Sequence, residues 1–217
     1  MGEAKRRQHG SALPPDFDRD AFARAMCKMF EAASEALNTD CLLHAMIARE
    51  ALSRLGIQAE LCVGYAAWRV DGESHHGVIA HHPQGSVMKI SRPDSPAVMY
   101  HAWLKIGMDI VDFTTYQLPA KAAAMDALDG HHTPVNWSPL YLWVPAKSGK
   151  SYADVRDSYT AGVYHYQRDT ALEARVKREG VDRVDLEDVN TLLAIYRMEL
   201  SGPVVVIGPN DLSRNSP

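Results

Sequence analysis

Three side chains in this 217-residue chain have the types and the order that nucleophilic chemistry needs. Cys41 sits in Thr39-Asp40-Cys41-Leu42-Leu43-His44. Sixty residues later Tyr100-His101-Ala102-Trp103-Leu104 brings an imidazole, and Val111-Asp112-Phe113-Thr114-Thr115 brings a carboxylate. A thiol attacks a carbonyl as its thiolate, and a helix N-terminus or a nearby imidazolium stabilises that anion. The chemistry open to this set is acyl transfer to sulfur on an amide or ester. Cys41 attacks, His101 shuttles the proton and Asp112 orients the ring. The backbone N–H of Cys41, with Asn38 or Thr39, would hold the oxyanion, and Tyr100 and Trp103 would line the cleft.

The elements that must position these groups are legible as patterns. From Asp16 a helix carries Phe17, Phe22, Met26, Met29, Phe30 and Leu37 at near-helical spacing. A second helix runs over 39–55, capped by Asn38 or Thr39 and stopped by Gly56. Its apolar residues cover most of its circumference, as a buried central helix requires. A strand spans 57–70, with Gly64 as a place for a bulge, and short strands follow over 77–81 and 86–90. Strands over 98–106 and 109–114 form a hairpin. A two-residue turn at Gly107-Met108 pairs Ile106 with Asp109 and Trp103 with Asp112, placing Asp112 on the sheet face of His101 and Asp109 on the other. A three-residue loop would reverse that choice. Beyond this the chain turns irregular and helical, with a strand over 141–144, helices over 168–179 and 185–200, and a last strand over 204–207. Residues 1–15 read as a mobile arm, 16–208 as one domain and 209–217 as a flexible tail. Helices followed by antiparallel strands indicate an α+β domain, with the N-terminal helices packed on one sheet.

The pattern Cys41-Leu42, Gly56, Val63-Gly64, His101-Ala102-Trp103 and Asp112 resembles the transglutaminase-like branch of the papain-like cysteine proteinase fold. It is also similar to the leader peptidases that process lasso peptides, and the chain looks most like a small bacterial family of that fold. The resemblance covers residues 38–115 and implies a cysteine hydrolase or acyl transferase. Asp40 stands where many transglutaminases carry tryptophan, and no glutamine precedes Cys41 as in papain-type enzymes. The Arg-Cys-like motif of arylamine acetyltransferases is absent. A non-catalytic binding member of the same fold, with an inactive triad, is the alternative.

Other constellations point less far. His44, three residues after Cys41, is a rival base on the same helix surface. The pairs His75-His76, His81-His82 and His131-His132 offer at most one ligand each per strand face, and no HExxH or Cys-x2-Cys accompanies them, so no metal is expected. No organic cofactor is implied. A net charge of −4 argues against nucleic acid as the main partner. No apolar run reaches membrane-spanning length, and no secretory or myristoylation signal is present. Three cysteines without CxxC spacing favour free thiols and a cytoplasmic setting. The partner expected is a peptide or small acyl substrate; oligomeric state is not encoded legibly.

Overall fold

The structure is a computed structural model and describes residues 13–34, 39–74, 76–83, 99–178 and 184–214. The calls on residues 1–12, on Asn38 and on a strand over 86–90 fall outside these. Helix α1 (Arg19–Ala33) is capped by the Asp18 side chain, which accepts from the Ala21 N–H at 2.9 Å. It buries Phe22, Met26, Met29 and Phe30. Phe17 precedes the helix, with its ring against those of Phe22, Trp143 and Tyr196. Helix α2 (Cys41–Arg54) follows, with Asp40 in the N-cap position. That corrects the expected caps at Asn38 or Thr39. Gly56, at φ 79°, adopts the left-handed stop that its position calls for.

One curled antiparallel sheet carries the rest of the fold, in the order β2 (Val78–His81), β1 (Glu60–Arg69), β3 (His101–Ile106), β4 (Asp109–Asp112), β5 (Leu142–Pro145). Strand β6 (Tyr164–Arg168) pairs with the other edge of β1. The fold class is therefore α+β. The β3–β4 register pairs Ile106 with Asp109 and Leu104 with Val111, as the two-residue turn at Gly107-Met108 requires. One sheet face packs Leu61, Val63, Ala102, Leu104 and Val111 against α1, α2 and α6 (Leu186–Ser201). The opposite face carries Trp68, Ile79 and Leu142 beneath Leu118 and Ala122 of α3 (Leu118–Asp129).

Several sequence expectations need correction. Val204–Ile207 is extended but forms no strand: Lys28 Nζ donates to the Val204 carbonyl at 2.6 Å, and Val204 and Val206 pack on the core. Within the segment read as a tail, Pro209–Arg214 form helix α7. Asn210 Nδ2 donates to the carbonyls of Glu31 and Ser34, both at 2.9 Å, docking this helix on the end of α1. The 152–168 stretch holds a short α4 (Tyr152–Asp157) and then β6, so the helix read over 168–179 begins only at α5 (Thr170–Arg178).

Gly64 marks a close approach of two backbones. It pairs with His101 on one side and Arg168 on the other, and a Cβ there would lie 2.1 Å from the Gln167 carbonyl oxygen. Backbone cannot yield as a side chain tip does. Gly64→Ala is therefore expected to destabilise the protein by about 3 kcal/mol, read as a lowered denaturant midpoint with unchanged slope.

Candidate active site

Cys41 occupies the first position of α2, where backbone N–H groups have no partner within the helix. The first intrahelical bond runs from the His44 N–H to the Asp40 carbonyl. His101 opens β3 and Asp112 closes β4 one diagonal away, so the hairpin register brings both side chains to the same sheet face. His101 Nε2 and Asp112 Oδ2 are 2.7 Å apart, with the two side chains 0% and 1% exposed. The other ring nitrogen, Nδ1, is buried and makes no hydrogen bond of ordinary geometry. It is the nitrogen left to face the Cys41 thiol, which acts on the same ring. Of the seven residues singled out from sequence, the structure brings Cys41, His101 and Asp112 together.

The charges agree with that geometry. Burial alone would raise the Cys41 thiol, yet hydrogen bonding to His101, the charges of His101 and Lys121 and the Ala102 backbone N–H bring it below the ordinary value. Burial disfavours the His101 imidazolium, but the Asp112 charge and hydrogen bond, with Cys41, raise it. Burial would also raise the Asp112 carboxyl; His101, Lys121 and the Tyr166 hydroxyl hold it far below the usual carboxylate range. A permanently ionised Asp112 keeps the proton of neutral His101 on Nε2. Nδ1 is then free to take the thiol proton.

Asp112 is held by residues that sequence reading did not single out for the site. Oδ1 accepts from the Thr114 N–H and hydroxyl, both at 2.8 Å. Oδ2 accepts from Tyr166 Oη at 2.6 Å, and that hydroxyl accepts from Trp68 Nε1 at 2.9 Å. Trp68 meets the His101 ring edge-on with centroids 4.9 Å apart. Tyr166 comes from β6 and Trp68 from the far half of β1. Only the sheet topology unites them, so no local motif could have announced them.

The remaining candidates fall elsewhere. Trp103, expected as a cleft wall, is 4% exposed and packs in a cluster with Cys62 and Ile110. Its side chain lies on the His101 face because both residues alternate along β3. Tyr100 is half-buried against the main core, and Thr39 is exposed ahead of α2. His44 is engaged away from the triad: its ring stacks on Phe30 at 3.4 Å and its Nε2 lies 3.0 Å from Tyr116 Oη. Asp40 is likewise occupied, accepting from Ser34 Oγ at 2.7 Å and Gln117 Nε2 at 3.2 Å. Gln117 lies downstream of Asp112 in sequence, whereas papain-type logic looks upstream of the nucleophile. Among the described residues no three His, Cys, Asp or Glu side chains gather as a metal site, and no helix is long and apolar enough to cross a membrane.

The three thiols differ sharply. Burial pushes Cys27 up to about 12 and Cys62 up to about 11, while Cys41 moves down. A limiting amount of iodoacetamide at neutral pH should label Cys41 first, since the thiolate fraction of the others is roughly 10⁻⁴ or less. Equal labelling of all three, read by peptide mass spectrometry, would mean that no activated thiol exists. Asp112→Asn should slow the labelling of Cys41 specifically.

No protein-family model and no curated protein matches the chain. Its fold is similar to that of a solved crystal structure described only as a genomics target, with a TM-score of 0.51 and 13% identity over 82% of this chain and 76% of the other. That likeness concerns the α+β fold alone.

Proposed function

We propose that this chain is a cysteine-nucleophile hydrolase or acyl transferase of the transglutaminase-like, papain-like fold, acting on an amide or ester of a peptide or small acyl substrate. The observation that carries the reading is the buried His101, with one nitrogen 2.7 Å from an ionised Asp112 and the other left to a thiol at a helix N-terminus. The Cys41 thiolate forms a bond to the carbonyl carbon, and the C=O pair moves onto oxygen. First-turn N–H groups of α2 are positioned to receive that charge. As the tetrahedral species collapses, His101 Nδ1 gives its proton to the departing amine or alkoxide and a thioester remains. Water completes hydrolysis, or an amine completes transfer, with His101 now taking the incoming nucleophile's proton. Asp112 stays ionised throughout. No cofactor enters this sequence of steps.

One observation favours the non-catalytic alternative. Cys41 is only 6% exposed, so the sulfur presents little surface to a carbonyl. Activity decides between the two. Incubation with p-nitrophenyl acetate should give a burst of nitrophenolate and a mass increase of one acetyl group on the Cys41 peptide. Cys41→Ala should abolish the burst, and His101→Ala should slow it by roughly 10²–10⁴-fold. Folded wild-type protein that never acylates would leave the binding module as the reading.

The pH dependence has a definite sign. Rate climbs with pH as the thiol deprotonates, and that limb lies below the ordinary thiol range because the Cys41 value is lowered. It falls again as the imidazolium loses its proton, and that limb lies above the ordinary histidine range because the His101 value is raised. A bell-shaped profile of kcat/KM is expected. A monotonic rise into the range of a free thiol would contradict the thiolate–imidazolium pair.

A further inference from the structure

Helix α3 covers the triad's side of the sheet, and its inward stripe is Leu118, Ala122 and the half-buried Met125. Lys121 lies on that same stripe and is 4% exposed. Burying an ammonium costs several kcal/mol unless charge or donors compensate it. Yet no carboxylate among the described residues lies within salt-bridge distance of Lys121. Its Nζ donates to Thr114 Oγ1 at 3.4 Å and stands 5.3 Å from the centre of the Trp68 ring. Such an expensive group in an apolar row calls for a reason, and the chain of contacts supplies one.

We infer that Lys121 is a positioning residue of the triad: its ammonium fixes the direction of the Thr114–Asp112–His101 hydrogen-bond chain and supplies the charge that lets Cys41 exist as an anion away from water. This rests on the acyl-transfer reading and deepens it. An ammonium has donors only, so Thr114 Oγ1 must accept from Lys121. The single hydroxyl proton of Thr114 is then committed to Asp112 Oδ1, 2.8 Å away. With Oδ1 engaged by Thr114 and Oδ2 by Tyr166 and His101, the carboxylate has one orientation and the imidazole one tautomer. The charges balance as well. Asp112 and Lys121 cancel, so the buried group is neutral before and after the proton passes from Cys41 to His101. Without Lys121 the two anions, Asp112 and the Cys41 thiolate, would share the one imidazolium, and the buried group would carry a net charge of −1 throughout. The charge of Lys121 acts on both Cys41 and Asp112.

Among the described residues, the other ionisable groups facing the site leave this role to Lys121. On β2, His81 stacks against His101 with centroids 5.7 Å apart, and its Nε2 is buried without a partner. Burial and the charges of Lys121 and His101 hold it well below the ordinary imidazole value, so it adds no charge. On β6, Tyr166 is pushed well above the ordinary phenol value by burial and Asp112. At the start of α2, Asp40 is tied to Ser34, His44 and Gln117.

The test follows the ultraviolet absorbance of the thiolate against pH in the full chain, with Cys41→Ser identifying the Cys41 signal. Lys121→Met keeps the stem and removes the charge. It should move the Cys41 midpoint up by about one pH unit, and lower kcat on the ester with KM unchanged. Lys121→Arg should stay near wild type in both. A folded Lys121→Met protein with the wild-type midpoint would overturn the inference. If that variant does not fold, wild-type protein carrying isotopically labelled lysine settles the matter by NMR. Alkylating Cys41 to a neutral thioether should then lower the Lys121 titration midpoint, since the coupling is reciprocal, and an unmoved midpoint refutes it. A wild-type Cys41 that titrates as an ordinary thiol would instead sink the acyl-transfer reading, which keeps the two failures distinct.

Discussion

A carboxylate kept ionised inside a sheet is the constraint on which the arrangement depends. An uncompensated charge in that position would cost several kcal/mol, so Asp112 is tolerable only with its lone pairs filled. Thr114 fills one oxygen from the turn that follows β4, while Tyr166 and His101 share the other. Those donors come from β3, β6 and the post-β4 turn. Satisfying one side chain therefore ties the β3–β4 hairpin to β6, a strand remote in sequence. In a fully satisfied buried network each hydrogen bond strengthens its neighbours through the low local dielectric, and the ring it holds has one orientation left.

Cys41 reaches that ring because α2 can lie close to the sheet. Ala45, Ala48 and Ala51 are buried along the helix, and small side chains let its axis approach β3 and α6. His44, on the same helix, locks its N-terminal turn: it stacks on Phe30 of α1 and meets Tyr116 and Gln117 from the 3-10 turn over Thr115–Gln117. Two histidines near one thiol thus divide their work. One packs and anchors the helix, and the other faces the sulfur.

Much of this was legible from local pattern. The helix beginning at Cys41 showed in its apolar circumference and its Gly56 stop. The hairpin register followed from the two residues between Ile106 and Asp109, and with it the choice of Asp112 over Asp109. The register mattered more than the residue types, because a slip of one would have sent the carboxylate to the opposite face. What stayed hidden depends on distant pairing. Tyr164-His165-Tyr166 has strand-compatible residues, but the segment is too short for its pairing partner to be read locally, and only its place on the edge of β1 makes it β6. Lys121 reads as an ordinary helix lysine until α3 is laid across the sheet. Val204-Val205-Val206-Ile207 has the β-branched composition of a strand but meets α1 rather than a ladder. Asp109, read as lying on the face opposite His101, does lie there, where it accepts from Trp143 Nε1 at 3.1 Å.

The pairing of β6 with β1 has a temporal consequence. Tyr166 joins Asp112 across 54 positions, and Arg168 pairs with Gly64 across about twice that distance. Ribosomal synthesis delivers α2, β1 and the β3–β4 hairpin well before β6 emerges, and closing so long a loop is entropically late in folding. A nascent chain lacking β6 holds the thiol, the imidazole and the carboxylate but lacks the Tyr166 hydroxyl that donates to that carboxylate. The donor set of the buried carboxylate is thereby completed only when the domain is nearly whole.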